Sequence, residues 1–191
     1  MNKSRCEWCG KDPLYMAYHD QEWGVPVFSD DKLFEFLLLE TFQAGLSWIT
    51  ILRKRENFRK AFDNFDLQKI ASYGEEKYNS LLLDKGIVRN KLKIRATMSN
   101  ARAFINIQKE YGSFSDYYWQ FSEHNPLNHQ RQHRSQVPAT TALSDIISKD
   151  LKKKGFKFVG STVIYAFMQA TGMVNDHIET CFRYQELRMN E

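Results

Sequence analysis

The sequence predicts an all-α fold, and three features carry that expectation. In the longest periodic segment Ile94, Met98, Ala101 and Ile105 recur at three- and four-residue steps, the period of a helix face. No stretch alternates apolar and polar residues over a strand's length. Only nine glycines punctuate 191 residues, and no repeat or low-complexity tract interrupts them. A chain of this length with 42% hydrophobic residues can build one substantial core, so residues 1–191 are expected to form a single domain. No apolar run approaches the ~18 residues of a membrane span. The opening Met-Asn-Lys-Ser-Arg-Cys-Glu lacks the hydrophobic segment of a signal peptide. These features point to a soluble, cytoplasmic, monomeric protein with no membrane partner, and the net charge of +4 permits a nucleic-acid partner without demanding one.

The elements follow in order. Residues 3–26 are aromatic and turn-rich, with a short helix at 14–20 and a loop at 24–26. Ser29 starts a helix over 29–40, with Asp30 and Asp31 in the first turn, where acids suit the helix dipole. Its run Leu33, Phe34, Phe36, Leu37, Leu38 and Leu39 is almost wholly apolar, and Glu40 is its polar end. Gly45 allows a sharp break, Ser47 can cap a second helix over 47–62, and Arg53, Lys54 and Arg55 reach solvent from it. Helices at 66–73 and 75–83 precede a long amphipathic one at 88–110.

The turn around Gly86 joins two helices and is basic, with Lys85, Arg89, Lys91, Lys93 and Arg95 against Asp84 alone. A glycine-containing turn of this kind exposes backbone N–H groups that suit a phosphate. The same pattern also fits an ordinary hairpin with a solvated basic face. An aromatic helix at 115–122 leads into a polar loop at 124–141, whose His129 and His133 read as solvated. A helix capped by Thr141 or Ser144 then runs to Lys154 and is closed by Gly155, with lysines at its end that complement the dipole. A buried helix at 162–170 and a short final one at 174–182 complete the chain.

Two clusters carry chemistry. Cys6, Cys9 and Cys181 are an odd number of thiols, which argues against a disulfide framework and leaves metal binding or free thiols. His177 and Cys181 are four apart, so on the final helix both would leave one face and share a metal ion. Spacing alone offers Cys6 with Cys9, half of a zinc knuckle, or Cys6 with His19 as the other two ligands. The second cluster sets Trp8, Tyr15, Tyr18 and Trp23 in the N-terminal segment beside Glu40 and Trp48. A carboxylate so close to buried apolar surface must find a donor or take a proton.

The run Asp12 to Pro26, the segment Gln43-Ala-Gly-Leu-Ser-Trp48, the segment Gly155-Phe-Lys-Phe-Val-Gly160 and the triplet Asn175-Asp176-His177 resemble the 3-methyladenine DNA glycosylase I family, in order from about residue 5 to about 181. The resemblance implies a monofunctional base-excision-repair enzyme of the helix-hairpin-helix type. Such an enzyme flips 3-methyladenine out of double-stranded DNA and hydrolyses its N-glycosidic bond in an aromatic, anionic pocket. It gives Glu40 the adenine edge as the catalytic carboxylate, Trp48 and Tyr18 stacking or contact, and Trp8 the opposite face, with Tyr15 and Trp23 completing the pocket. Leu46 becomes a candidate wedge into the base stack, and Lys85, Gly86, Arg89, Lys91 and Lys93 hold the duplex.

The resemblance also selects Cys6, His19, His177 and Cys181 as ligands of one structural Zn2+, leaving Cys9 unmatched. Residues 1–26 and 155–185 would then pair as a zinc-bound lobe against a helical core at 29–140, with its hairpin at 83–93. Four protein ligands leave no open position for water. Family members lack the catalytic aspartate of related glycosylases, and this chain has no Asp between Asp84 and Asp116. It departs from the family in carrying Phe42-Gln43 where two polar residues are common, and the ring of Phe42 is expected either to line the pocket or to plug DNA. A non-enzymatic zinc-stapled nucleic-acid-binding module is the alternative from a different class; a zinc hydrolase would require one of the four ligands to be absent.

Overall fold

A computed structural model describes residues 3–188. Among them it holds ten α-helices and one pair of two-residue strands, so the architecture is mostly helical, as expected, with a small parallel addition. Helix α1 (Pro13–Gln21) begins where Asp12 accepts the N–H groups of Leu14 and Tyr15, with Pro13 at the first position, where a missing N–H does no harm.

Helix α2 (Asp30–Gln43) is the centre of the molecule, with all ten residues from Leu33 to Phe42 buried. A helix apolar on every side must be surrounded. It packs against α3 (Trp48–Ala61), α6 (Lys91–Tyr111), α7 (Phe114–Trp119) and α9 (Ser161–Ala170). It runs three residues beyond the predicted end, which sets Glu40 inside its last turns rather than at its tip. Ser29 makes no side-chain cap, and Asp30 instead accepts the N–H groups of Phe114 and Ser115 together with Gln108 Nε2. One carboxylate thus caps α7 and fastens it to the start of α2. The buried Glu35 is gripped by Lys32, Arg55 and Arg59, which hold its pKa below the usual range against the burial that would raise it. Arg55, expected in solvent, is mostly buried in that cluster and also binds Glu22.

Helices α4 (Leu67–Ser72) and α5 (Glu75–Leu83) match expectation closely. The long helix α6 starts at Lys91 rather than Val88, because Asn90 Oδ1 accepts the N–H groups of Leu92 and Lys93 and fixes the boundary there. Helix α8 (Ala142–Lys153) opens on a reciprocal cap, with Thr141 Oγ1 accepting from Ser144 N and Ser144 Oγ from Thr141 N, so both of the predicted cap residues take part.

The C-terminal segment departs most from the sequence reading. Residues 174–181 are not helical: β2 (Val174–Asn175) pairs in parallel with β1 (Leu127–Asn128), an Arg131–Ile178 bridge extends the contact, and the last helix, α10, is Phe182–Arg188. The loop at 124–141 is therefore held against the C-terminal segment. His129 is not simply solvated, since its Nδ1 lies 2.7 Å from the buried Asp176 carboxylate. The N-terminal segment joins the same side through Gly24 N to Gln169 O, Val27 N to Thr171 O and Phe182 N to Ser4 O. Gly172 lies directly against the N-terminal segment: its φ is +73°, and a Cβ there would lie 2.4 Å from the backbone of Val25 and Pro26.

Candidate active site and metal centre

Five elements meet at a cavity of about 600 Å³. The 3-10 turn Glu7–Cys9 supplies Trp8, α1 supplies Tyr15 and Tyr18, the loop after it Trp23, α2 Glu40, and α3 Trp48. All six residues grouped from the sequence thus line one space. The rings touch in series: Trp8 lies 5.0 Å from Tyr15 and 4.9 Å from Trp23, and Tyr18 lies 5.4 Å from Trp48. Helix-breaking at Gly45, with φ +86°, turns the chain so that the start of α3 returns Trp48 to the cavity that Glu40 faces from α2.

Two polar atoms here are unsatisfied. Glu40 Oε2 and Trp48 Nε1 are both buried with no hydrogen-bond partner, in a protein whose other buried acids, Glu35 and Asp176, are fully engaged. Such groups are uncommon in native proteins, and a ligand in the cavity would complete both. Burial alone pushes the Glu40 pKa up to about 8, which favours the neutral carboxyl at pH 7, whereas a facing cation would favour the carboxylate. Tyr18 is buried beside it, and desolvation and Glu40 both drive its pKa well above the ordinary value.

Several cavity residues were not legible beforehand. Gln43 comes from the end of α2, Ala166 and Gln169 from α9, Asp176 and Ile178 from the segment after β2, and Gln132 to Ser135 with Val137 from the polar loop whose histidines read as solvated. Asp176 is the hub of this wall: its carboxylate accepts from Tyr165 Oη and Gln169 Nε2 and faces His129 and Arg131. The resemblance already included Asp176 in its Asn-Asp-His triplet, which was the available signal. Phe42 neither lines the cavity nor reaches DNA. It is fully buried against Phe58 and Phe62, because it lies on the face of α2 turned away from Glu40's side.

The expected DNA contacts divide. Leu46 is 41% exposed in the turn between α2 and α3. Lys85, Arg89 and Lys91 are exposed around the 84–90 turn. Three amides there are already taken, however: Asp84 Oδ1 accepts Gly86 N–H, and Asn90 Oδ1 accepts those of Leu92 and Lys93 at the start of α6. Lys93 is a correction. It is buried, and its Nζ donates to Phe42 O at 3.0 Å and Ala44 O at 2.6 Å, closing the carbonyl end of α2. Lys93→Met is expected to lower stability by roughly 1–3 kcal/mol, since two carbonyls lose a charged donor. Urea titration checks that, and the salt dependence of duplex binding should not change. A second helical hairpin, α8 to α9 through residues 154–160, leaves the N-terminus of α9 without a side-chain cap, beside the exposed Lys149, Lys152 and Lys153. Asn100 clamps its turn by bonding both N and O of Lys157.

Behind the aromatic wall, Cys6, His19, His177 and Cys181 are all buried, with one donor atom from each lying within 4.8 Å of the others. His177 Nδ1 is 3.5 Å from Cys6 Sγ and 3.4 Å from Cys181 Sγ, and His19 Nε2 is 3.4 Å from Cys181 Sγ. A tetrahedral zinc with ordinary Zn–S and Zn–N bonds has S···N edges of about 3.5 Å, so the four donors fit that ion. The remaining ring nitrogens are oriented as metal-bound imidazoles usually are: His19 Nδ1 on Asp20 at 2.8 Å, itself held by Arg5, and His177 Nε2 on Trp23 O at 3.0 Å. Cys9 is buried but turns its thiol to Cys6 O, outside the set. His177 and Cys181 are brought together by the 178–181 turn, not by one helix face as the spacing suggested.

The family model for methyladenine glycosylase matches residues 8–184. The chain is 51% identical over 180 residues to DNA-3-methyladenine glycosylase 1 of Escherichia coli (strain K12), covering 94% of this chain and 96% of that one. A crystal structure of 3-methyladenine DNA glycosylase I superposes with a TM-score of 0.92 at 51% identity, covering 94% of this chain and 98% of the other. The Staphylococcus aureus 3-methyladenine DNA glycosylase I, solved to establish how it recognises 3-methyladenine, superposes with a TM-score of 0.90 at 35% identity over 93% of this chain and 95% of its own. With a matched model that spans residues 8–184 and so takes in Glu40, the aromatic residues of the cavity, three of the four clustered Cys and His residues and the helical core, the chain belongs to the methyladenine glycosylase family.

Proposed function

We propose that this protein is a monofunctional DNA glycosylase that excises 3-methyladenine from alkylated double-stranded DNA, acting as a monomer in the cytoplasm as the first step of base excision repair. The observation that carries the reading is the unpaired Glu40 carboxyl buried in an aromatic cavity large enough for a purine. A 3-methylated adenine nucleotide is cationic. Rings that offer their π faces and a carboxyl that can ionise in a dry site favour it over neutral adenine. Trp48 and Tyr18 stack on or contact the flipped base, Trp8, Tyr15 and Trp23 close the wall around it, and Glu40 accepts from its edge.

The bond from the sugar to the base breaks with its electron pair moving to the base, which leaves neutral. The sugar carries the positive charge until water adds and loses a proton. Because the leaving group is already activated, what the protein supplies is extrusion, orientation and charge complementarity. Leu46 fills the stack, and the duplex backbone rests on Lys85, Arg89 and Lys91 and on the uncapped start of α9, five residues before Ala166 on the cavity wall. Cys6, His19, His177 and Cys181 would hold zinc, whose contribution with four protein ligands is to tie the chain ends together.

The test is chromatography of bases released from methylated duplex DNA, with strand integrity followed in parallel. Release of 3-methyladenine with intact strands is expected. Tight binding without release would instead favour a non-enzymatic binding module, and strand cleavage would overturn the monofunctional mechanism.

A further inference from the structure

One wall of the cavity is the 132–137 turn, and it is firmly held. Gln136 Oε1 accepts the N–H groups of Gln132 at 2.6 Å and His133 at 3.1 Å. Gln136 N donates back to His133 O, and just before the turn Glu179 N donates to Arg131 O at 2.8 Å. Arg134 sits at the head of the 3-10 turn Arg134–Gln136 and is exposed. Its guanidinium makes no ion pair or hydrogen bond among the described residues, whereas Arg5, Arg53, Arg55, Arg59, Arg95 and Arg131 each face a carboxylate. A rigid backbone presenting an unpaired guanidinium at a cavity rim is an arrangement that waits for an anion.

The cavity lining separates charge by depth. Glu40 and Asp176 are buried, and the exposed charges on its lining are Glu7 and Arg134. Arg134 shares the lining with Tyr15, and its charge opposes the rise that burial imposes on that phenol. A nucleotide turned out of a duplex leaves its flanking phosphates at the mouth of the pocket that takes its base. We propose that Arg134 binds a DNA phosphate beside the extruded nucleotide, with Glu7 keeping the backbone off its own stretch of the rim. The assignment rests on the glycosylase reading above. It gives the floor of the cavity to the cationic base and the rim to the anionic backbone.

The test uses the full chain and its Arg134→Ala and Arg134→Lys variants. Affinity for a duplex with one reduced abasic site is measured across salt concentrations, and affinity for free 3-methyladenine by quenching of tryptophan fluorescence. Loss of one phosphate contact is expected to reduce the slope of log affinity against log salt by about 0.9 in Arg134→Ala, and Arg134→Lys should restore it. Free-base affinity should be unchanged in both. A wild-type slope in Arg134→Ala overturns the proposal, as does a parallel loss of free-base binding, which would make Arg134 a base contact. Failure of the wild-type chain to bind free 3-methyladenine would instead overturn the glycosylase reading.

Discussion

Glu40→Gln is expected to stabilise the protein at alkaline pH and to disable it. The carboxyl is desolvated without a partner, so its pKa rises from 4.5 unfolded to about 8 folded. A raised acid pKa means that the folded chain holds a proton the unfolded chain has released. The stability associated with that proton is complete below about pH 4.5 and is lost as pH rises through 8. At roughly 1.4 kcal/mol per unit, the ionised group above pH 8 costs the fold on the order of 4–5 kcal/mol, a large share of a typical domain's stability. Glutamine carries no such penalty. Its unfolding midpoint should match wild type near pH 4 and exceed it by on the order of 10 °C near pH 9, since a chain of this size moves about 2–4 °C per kcal/mol.

Catalysis should move the other way. Glutamine preserves the shape and one acceptor but not the charge, and hydrogen bonds to charged groups contribute roughly 1.5–3 kcal/mol. Single-turnover release of 3-methyladenine should therefore fall by about 10- to 100-fold or more. In the wild type, capture of a cationic base below pH 8 must expel the Glu40 proton, so kcat/KM should rise with pH and level off near 8, while the variant should show no such limb. A flat wild-type profile, or a variant no more stable than wild type at pH 9, would remove Glu40 as the desolvated charge partner.

What the sequence disclosed and what it withheld follow the range of the forces involved. Thr141 and Ser144 announce α8 because a cap acts within three residues. Gly45 marks the break after α2 for the same reason. The Asp12 cap that starts α1 one residue earlier than expected, by contrast, was not read. Residues 174–182 misled because His177 and Cys181, four apart, converge equally well from a turn as from a helix. What decides is pairing with Leu127 and Asn128, 47 residues earlier in the chain. The 129–137 loop has no period because its shape comes from Asp176, Ile178 and Glu179, and so its share of the cavity wall was invisible. Lys93 looks like any basic residue on an amphipathic helix until the free carbonyls of Phe42 and Ala44 are found opposite it. Local sequence singled out Glu40 and Trp48, whereas grouping them with the N-terminal aromatic residues as a pocket and choosing His19 over Cys9 required the family pattern, and the geometry of the four donors agrees with that choice.

Removal of metal is expected to abolish base binding while leaving most of the helix content in place. Structural zinc sites contribute about 10–16 kcal/mol in small modules, which equals or exceeds the entire stability of many domains. A zinc held by Cys6, His19, His177 and Cys181 would concentrate that energy where the chain ends meet. Cys6 and His19 bracket Trp8, Tyr15 and Tyr18 in sequence, and His177 holds Trp23 O through its outer nitrogen. Opening the site therefore releases the aromatic wall of the cavity. The packing of α2 against α3, α6, α7 and α9 depends on none of the four ligands, and its apolar surface stays covered. The purified protein should contain one zinc per chain by elemental analysis. Stripping it with a strong chelator should eliminate quenching by 3-methyladenine and lower the thermal midpoint, with far-ultraviolet dichroism largely retained. Cys181→Ser should reproduce the stripped state. Cys9→Ser should keep its zinc, because that thiol faces Cys6 O rather than the other donors. Full base binding by the metal-free chain would show that the ends are held by packing alone; loss of zinc in Cys9→Ser would return the ligand set to the cysteine pair that spacing left open.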